Sequence, residues 1–205
     1  MRLMSRSALA VAIAIVSVIA PLAAEPADLE ALLNGVEHVK VGGVPGPVAP
    51  ISPEAFAVVT GTSDGLRMPV MAASRYGEGR VVATGHFSFL DTKSLEKADT
   101  AELMGNAIRW AADTADPVVG VFRRDGYSEA LQDLGINARQ IDLSDLSGLD
   151  CIVVAPERAP EERLAALDQF VRDGGGMVTA FLGWGWLQLN PQKTLSADSL
   201  SNRLL

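Results

Sequence analysis

Few side chains in this sequence have the types and spacing that covalent or metal chemistry needs. There is one cysteine, Cys151, and there are two histidines, His38 and His86. Zinc-dependent peptide hydrolysis uses a His-Glu-x-x-His helix: two imidazoles one turn apart hold the ion, and the glutamate activates its water. His38 and His86 are far apart and in no such motif. A single cysteine excludes an intramolecular disulfide and a thiolate zinc cluster. Where a cysteine nucleophile is presented on a tight strand-to-helix elbow, glycines around it open the turn. Cys151 instead opens an apolar run, followed by Ile152, Val153 and Val154. Asp150 beside it and apolar burial both raise a thiol pKa, so Cys151 reads as a small buried apolar residue.

Four residues stand as binding candidates. His86 follows the end of a predicted strand, where α/β folds place ligands, and Asp91 is near enough in sequence to accept its ring N–H. The plainer reading is a histidine whose hydrogen bonds hold its loop together. Trp184 and Trp186 lie in Gly183-Trp184-Gly185-Trp186, read as a loop past another strand end, where glycines let the chain bend sharply. Indole faces stack on the apolar faces of sugars. The plainer reading is packing over the core or against a further domain, because two bare indoles are costly. Gly174-Gly175-Gly176 follows a helix and precedes a strand, the reverse of a phosphate loop, and reads as a cap and turn. Asp142, Asp145 and Asp150 lack the spacing of a known calcium loop, so no metal ligand is assigned.

These candidates need a scaffold, and the clearest part of it is 150–190. Residues 151–155 and 177–181 read as buried strands, rich in β-branched residues. Between them Leu164, Leu167, Phe170 and Val171 recur at three- and four-residue steps, which predicts an amphipathic helix that Gly174 ends. Strand, helix, strand implies a parallel pair with a right-handed crossover. Upstream, strands are expected at 56–60, 69–76, 80–84, 118–122 and 138–142, with a turn at 61–65 and a hairpin about Gly77-Glu78-Gly79. Helices are expected at 26–34, from Asp99 to Ala111 with Glu102 completing a capping box, and at 127–134. The fold class is therefore α/β: a doubly wound, mostly parallel sheet with helices on both faces and an N-terminal extension that contains a β-hairpin.

Composition bounds the rest. Arg2 and Arg6 precede the weakly polar run 8–20, Pro21 breaks it, and small residues lead to Glu25. Residues 1–24 read as a signal peptide, 25–53 as a short helix and a Gly/Pro-rich linker, and 54–205 as the α/β domain. The apolar run is shorter than the roughly 20 residues a membrane span needs, so no stable span is expected after cleavage, and the product is expected to be periplasmic or secreted. The formal charge is −8, and losing two arginines with the signal takes it to about −10, a poor balance for nucleic acid. Residues 187–205 show no strong period and no closing strand, which suggests the front of something longer.

Three stretches also carry a resemblance: 75–86, Asn106-Ala107-Ile108-Arg109-Trp110, and Asp173 through Trp184-Gly185-Trp186 to Asn190-Pro191. Together they resemble the amidotransferase-like domain that precedes the catalytic domain in mucin-degrading zinc metallopeptidases of the enhancin-like M-60 family, and their animal relatives, the TRP channel-associated factors. The resemblance implies a class I glutamine amidotransferase-like, flavodoxin-like fold and a non-catalytic accessory role in a glycoprotein-directed zinc peptidase. It also implies zinc only in a downstream domain, and that peptidase domain as partner, with glycoprotein or glycan as a possible ligand. The alternatives are an exported hydrolase using Cys151 or a serine with His86, and a glycan-binding module using Trp184 and Trp186.

Overall fold

The computed structural model describes residues 26–204, so the expected signal peptide lies outside the described residues. The chain begins with helix α1 (Pro26–Leu33), then an irregular segment to residue 55. Strands β1 (Phe56–Ser63), β2 (Leu66–Tyr76) and β3 (Gly79–Thr84) follow as two antiparallel hairpins. The predicted turn at 61–65 is narrower than expected. β1 continues through Gly61, and the turn is Asp64-Gly65, with φ 50° and 78°, the two-residue geometry that matches strand twist.

After β3 come a 3₁₀ turn (Phe87–Leu90), α2 (Thr92–Leu95) and α3 (Thr100–Ala112). Next are β4 (Val118–Phe122), α4 (Tyr127–Asp133), β5 (Asn137–Ile141) and β6 (Cys151–Val154). Two 3₁₀ turns (Pro156–Arg158 and Glu161–Arg163) lead into α5 (Leu164–Arg172), and β7 (Gly176–Ala180) completes the sheet. The described chain ends in three short helices, α6 (Gly183–Leu189), α7 (Leu195–Asp198) and α8 (Leu200–Leu204).

The seven strands form one sheet in the order β1-β2-β3-β7-β6-β4-β5. From β3 to β5 every pairing is parallel. Strand β6 shows why its run is apolar throughout: Cys151 and Val153 face the core under α1, α3 and α4, while Ile152 and Val154 face the core under α5. All four are fully buried, as a doubly covered parallel strand requires. The mostly parallel α/β sheet with helices on both faces is the architecture expected.

The segment before β1 packs on the domain. Asp28 on α1 is buried and accepts from Arg75 (2.8 Å) on β2 and from Trp110 Nε1 (2.9 Å) on α3. The capping box expected at α3 does not form. Asp99 makes no side-chain cap; its carboxylate accepts the backbone N–H groups of Glu37 (2.9 Å) and His38 (2.8 Å). Those two donors have no helix to satisfy them, so the acid is recruited across the fold. Further on, Gly46 N–H donates to the Gly85 carbonyl (2.8 Å) and Val48 N–H to that of Pro69 (2.8 Å). A Cβ at Gly85 would collide with the Gly46 carbonyl, so glycine is required where the two backbones meet.

The Gly-Trp-Gly-Trp stretch is helical, not a loop: it forms α6, and the side chain of Asn190 donates to the carbonyl of Trp186 (2.9 Å) at its end. The tail after it is also more regular than its sequence period suggests, because α8 packs against α5 and the 156–158 turn.

Candidate functional site

In open α/β sheets ligands gather beyond the carboxyl ends of the parallel strands, at the point where successive connections leave on opposite faces. Here β4 leads into α4 on one face and β6 leads towards α5 on the other. The carboxyl edge is built from residues 85–91 after β3, 181–186 after β7, 155–158 after β6 and 123–126 after β4.

His86 lies on this edge. Its Nδ1 accepts the backbone N–H of Ser88 (3.0 Å), which leaves the proton on Nε2, and Nε2 faces Gly43. The Ser88 hydroxyl sits 2.7 Å from Nδ1 and donates to the Gly42 carbonyl (2.6 Å). Partial burial lowers the His86 pKa from the ordinary imidazole value. Asp91, expected as its acceptor, does something else: it accepts the Lys93 N–H (3.2 Å) and caps α2. The reason is local, since the 3₁₀ turn places Ser88 against the ring first and leaves Asp91 at the start of the next helix.

Trp184 shares this edge with His86, and the segment 42–46 runs between them. The Trp184 ring packs beside Gly46, yet the residue remains 43% exposed. Trp186 points elsewhere; its ring meets Phe181 edge-on at 6.5 Å and carries the Lys193 ammonium 5.8 Å above it.

Cys151 is remote from all of these, at the opposite end of β6. It is fully buried, its thiol makes only a weak 3.9 Å contact with the Ile152 carbonyl, and burial pushes its pKa up to about 12. Past β4, β6 and β7 the chain presents Arg123, Ala155-Pro156, and Leu182 with the first α6 residues Gly183-Trp184. Among the described residues no three His, Cys, Asp or Glu side chains converge to hold an ion. An apolar groove of about 360 Å³ lies beside β2 and β3, lined by Ala72, Ala83, Val171 and Met177. None of the predicted residues lines it.

One group on the edge was missed from sequence: three arginines. Arg124 donates to the carbonyls of Phe87 (2.6 Å) and Leu90 (2.8 Å), tying the His86 loop to the end of β4. Its pKa is lowered by burial and then by the charge of Arg158. Arg158 sits over the Phe87 ring at 5.8 Å, and Arg123 donates to the Arg158 carbonyl (3.3 Å). Arg123 adopts a left-handed backbone, φ 49°, unusual outside glycine. The signal available was Arg123-Arg124 directly after a predicted strand.

Comparison with known proteins places this architecture. TRPM8 channel-associated factor 2 of Bos taurus is 29% identical over 179 residues, covering 87% of this chain and 19% of that protein. The Homo sapiens factor 2 is 32% identical over 176 residues, 83% of this chain and 18% of its own. The chain thus spans about a fifth of the length of the curated relatives it matches. Among solved structures, IMPa from Pseudomonas aeruginosa in complex with an O-glycopeptide superposes with a TM-score of 0.60 at 17% identity, over 74% of this chain and 19% of that one. IMPa metallopeptidase in complex with T-antigen gives 0.58 at 16%, over 76% and 19%. The likeness to these structures is one of fold. The family model described as TCAF_N, "TRPM8, N-terminal domain", matches residues 5–205, so the chain belongs to the TCAF_N family.

Proposed function

We propose that this chain is a non-catalytic accessory domain of an exported zinc metallopeptidase that acts on glycoproteins. Its role is to position the catalytic domain or to touch the substrate. The observation that carries this is the carboxyl edge itself. The start of α6, just past β7, bears Gly183-Trp184-Gly185, and the lone cysteine is sealed at the far end of β6 with a raised pKa. Nucleophilic catalysis needs an activated group open to substrate. The fold shared with IMPa supports the glycoprotein assignment, and the relatives' names, as channel-associated factors, support contact as the role. Zinc would then be held by a downstream domain, which is the partner of this one. The test is made on the polypeptide that carries the chain. It should contain a His-Glu-x-x-His segment, and deleting 26–204 should raise its KM for an O-glycosylated protein without changing its zinc content. A polypeptide without that segment, or a deletion that leaves KM unchanged, removes the proposal.

A second reading, direct glycan binding, is favoured by the 43% exposure of Trp184. Indole fluorescence should shift when a mucin-type O-glycan is added, and Trp184→Ala should abolish the shift. Trp186 is held by Phe181 and Lys193 and serves this reading less directly.

A further inference from the structure

The three arginines on the carboxyl edge have no role in the reading so far. The described ion pairs are Arg75–Asp28, Arg80–Asp113, Arg172–Asp168 and Arg203–Glu161. Arg123, Arg124 and Arg158 are in none of them. Their acidic neighbours are turned to other work or stand off. Glu157 accepts from Ser199 Oγ (2.9 Å) and Ser201 N–H (2.9 Å), which binds it to α8. Asp91 caps α2. Asp125 is exposed; it and Asp91 attract Arg124 through space, but neither forms a salt bridge with the three. Three guanidinium groups outside the described ion pairs therefore stand on one edge of a chain whose formal charge is −8. Arg124 and Arg158 repel one another, Asp91 and Asp125 act against that repulsion, and a bound anion would relieve it further.

The local structure holds the cluster in place. Arg124 is fixed by two carbonyls, with its Nε and one Nη committed. Arg158 is laid on the Phe87 ring and Arg123 on the Phe122 ring at 5.0 Å, so both exposed forks are supported from beneath. The left-handed backbone at Arg123 is the kind of strain that clusters at ligand clamps. The position is the crevice between β4 and β6, where the connections diverge.

We propose that Arg123, Arg124 and Arg158 form an oxyanion-binding site that takes the carboxylate or sulfate of an acidic sugar. Arginine suits this class because its planar fork meets two oxygens of a carboxylate or sulfate at once. Arg123 and Arg158 supply the contacting forks, and Arg124 supplies a fixed charge behind them. The assignment to a sugar rests on the glycoprotein reading above; the oxyanion site itself does not.

The test is calorimetric titration of the full chain with sodium sulfate at ionic strength matched by chloride, then with 3′-sialyllactose and with lactose. Sulfate and sialyllactose should bind and lactose should not. The double variant Arg123→Ala with Arg158→Ala should weaken both by about tenfold or more, as expected when charge-assisted bonds are lost. A charge-matched control, Arg67→Ala with Arg139→Ala, should bind as the parent does. Circular dichroism and Tm confirm that the variants are folded. Failure of sulfate to bind, or equal binding by the double variant and the control, overturns the site. Sulfate binding with sialyllactose no better than lactose overturns the sugar assignment alone. Neither result bears on whether the domain assists a peptidase.

Discussion

The indole Nε1 of Trp110, on α3, donates to the carboxylate of Asp28, on α1, at 2.9 Å. Arg75 donates to the same carboxylate from β2, so a single acid joins the segment before β1 to a helix and a strand of the sheet domain. Asp28 is 8% exposed and its partner Trp110 5%. Asp28→Ala leaves a buried indole N–H without an acceptor and Arg75 without its partner. The expected loss is about 2–4 kcal/mol in urea unfolding, from the range for charge-assisted bonds and buried donors left unmade. Trp110→Phe should cost less at this contact, because the Arg75–Asp28 pair survives. If Asp28→Ala unfolds at the parent midpoint, the N-terminal segment is not integral to the fold.

Arg124 makes a comparable junction at the other end of the sheet. It binds the carbonyls of Phe87 and Leu90 and so connects the loop after β3 to the end of β4. Arg124→Met keeps the stem and removes the fork. About 2–3 kcal/mol should be lost, and amide exchange should quicken selectively in 86–91. Arg124→Lys should recover only part, since one ammonium cannot reproduce the fork. Unchanged protection of that loop would contradict the junction.

His86 makes the fold sensitive to acid. Its folded pKa is lowered from 6.5 by burial, so between the two values the unfolded chain binds more protons than the native one. Stability from this group is complete above the unfolded pKa and falls as the pH drops through 6.5 towards the folded value. Protonation at Nδ1 also displaces the Ser88 N–H bond. His86→Asn, whose Oδ1 can accept from Ser88 but does not titrate, should flatten the stability profile between about pH 7 and 5. Carboxylates such as Asp99, whose pKa is lowered by the His38 and then the Glu37 N–H group, add their own loss only at lower pH. A variant as acid-sensitive as the parent in that window would show that His86 is not the group responsible.

Strands such as β4, β6 and β7 were legible because each is a short apolar run between glycines, prolines or polar residues, whereas β5, with only Ala138 and Ile141 apolar, is marked by its place after the helix that Gly135 ends. Features decided by distant partners were not. Glu102 three residues after Asp99 is a sound capping signal, yet the carboxylate serves Glu37 and His38 instead. Helix α6 was read as a loop because Gly183 and Gly185 are poor helix formers; packing of Trp186 on Phe181 overrides that preference. At the candidate site, His86 and Trp184 lie past strand ends as their sequence positions imply, whereas the expected pairing of His86 with Asp91 does not form, because the 3₁₀ turn brings Ser88 to the ring instead. Arg158 joins Arg123 and Arg124 only through the order of strands β6 and β4, which no local pattern in the sequence records.

Cys151 sharpens the question of chemistry. Its thiol should resist an aromatic disulfide reagent in the native protein and react fully in denaturant, since burial holds it protonated. Cys151→Ser should destabilise by about 1–3 kcal/mol, the cost of placing a hydroxyl in an apolar core.

Turnover is the decisive measurement. The purified chain is incubated with an O-glycosylated protein, and the products are weighed by mass spectrometry beside the folded Cys151→Ala variant. If the carboxyl edge serves to hold and to touch, the glycoprotein keeps its mass with either protein. Peptide or sugar fragments released by the parent chain and not by the variant would contradict that account.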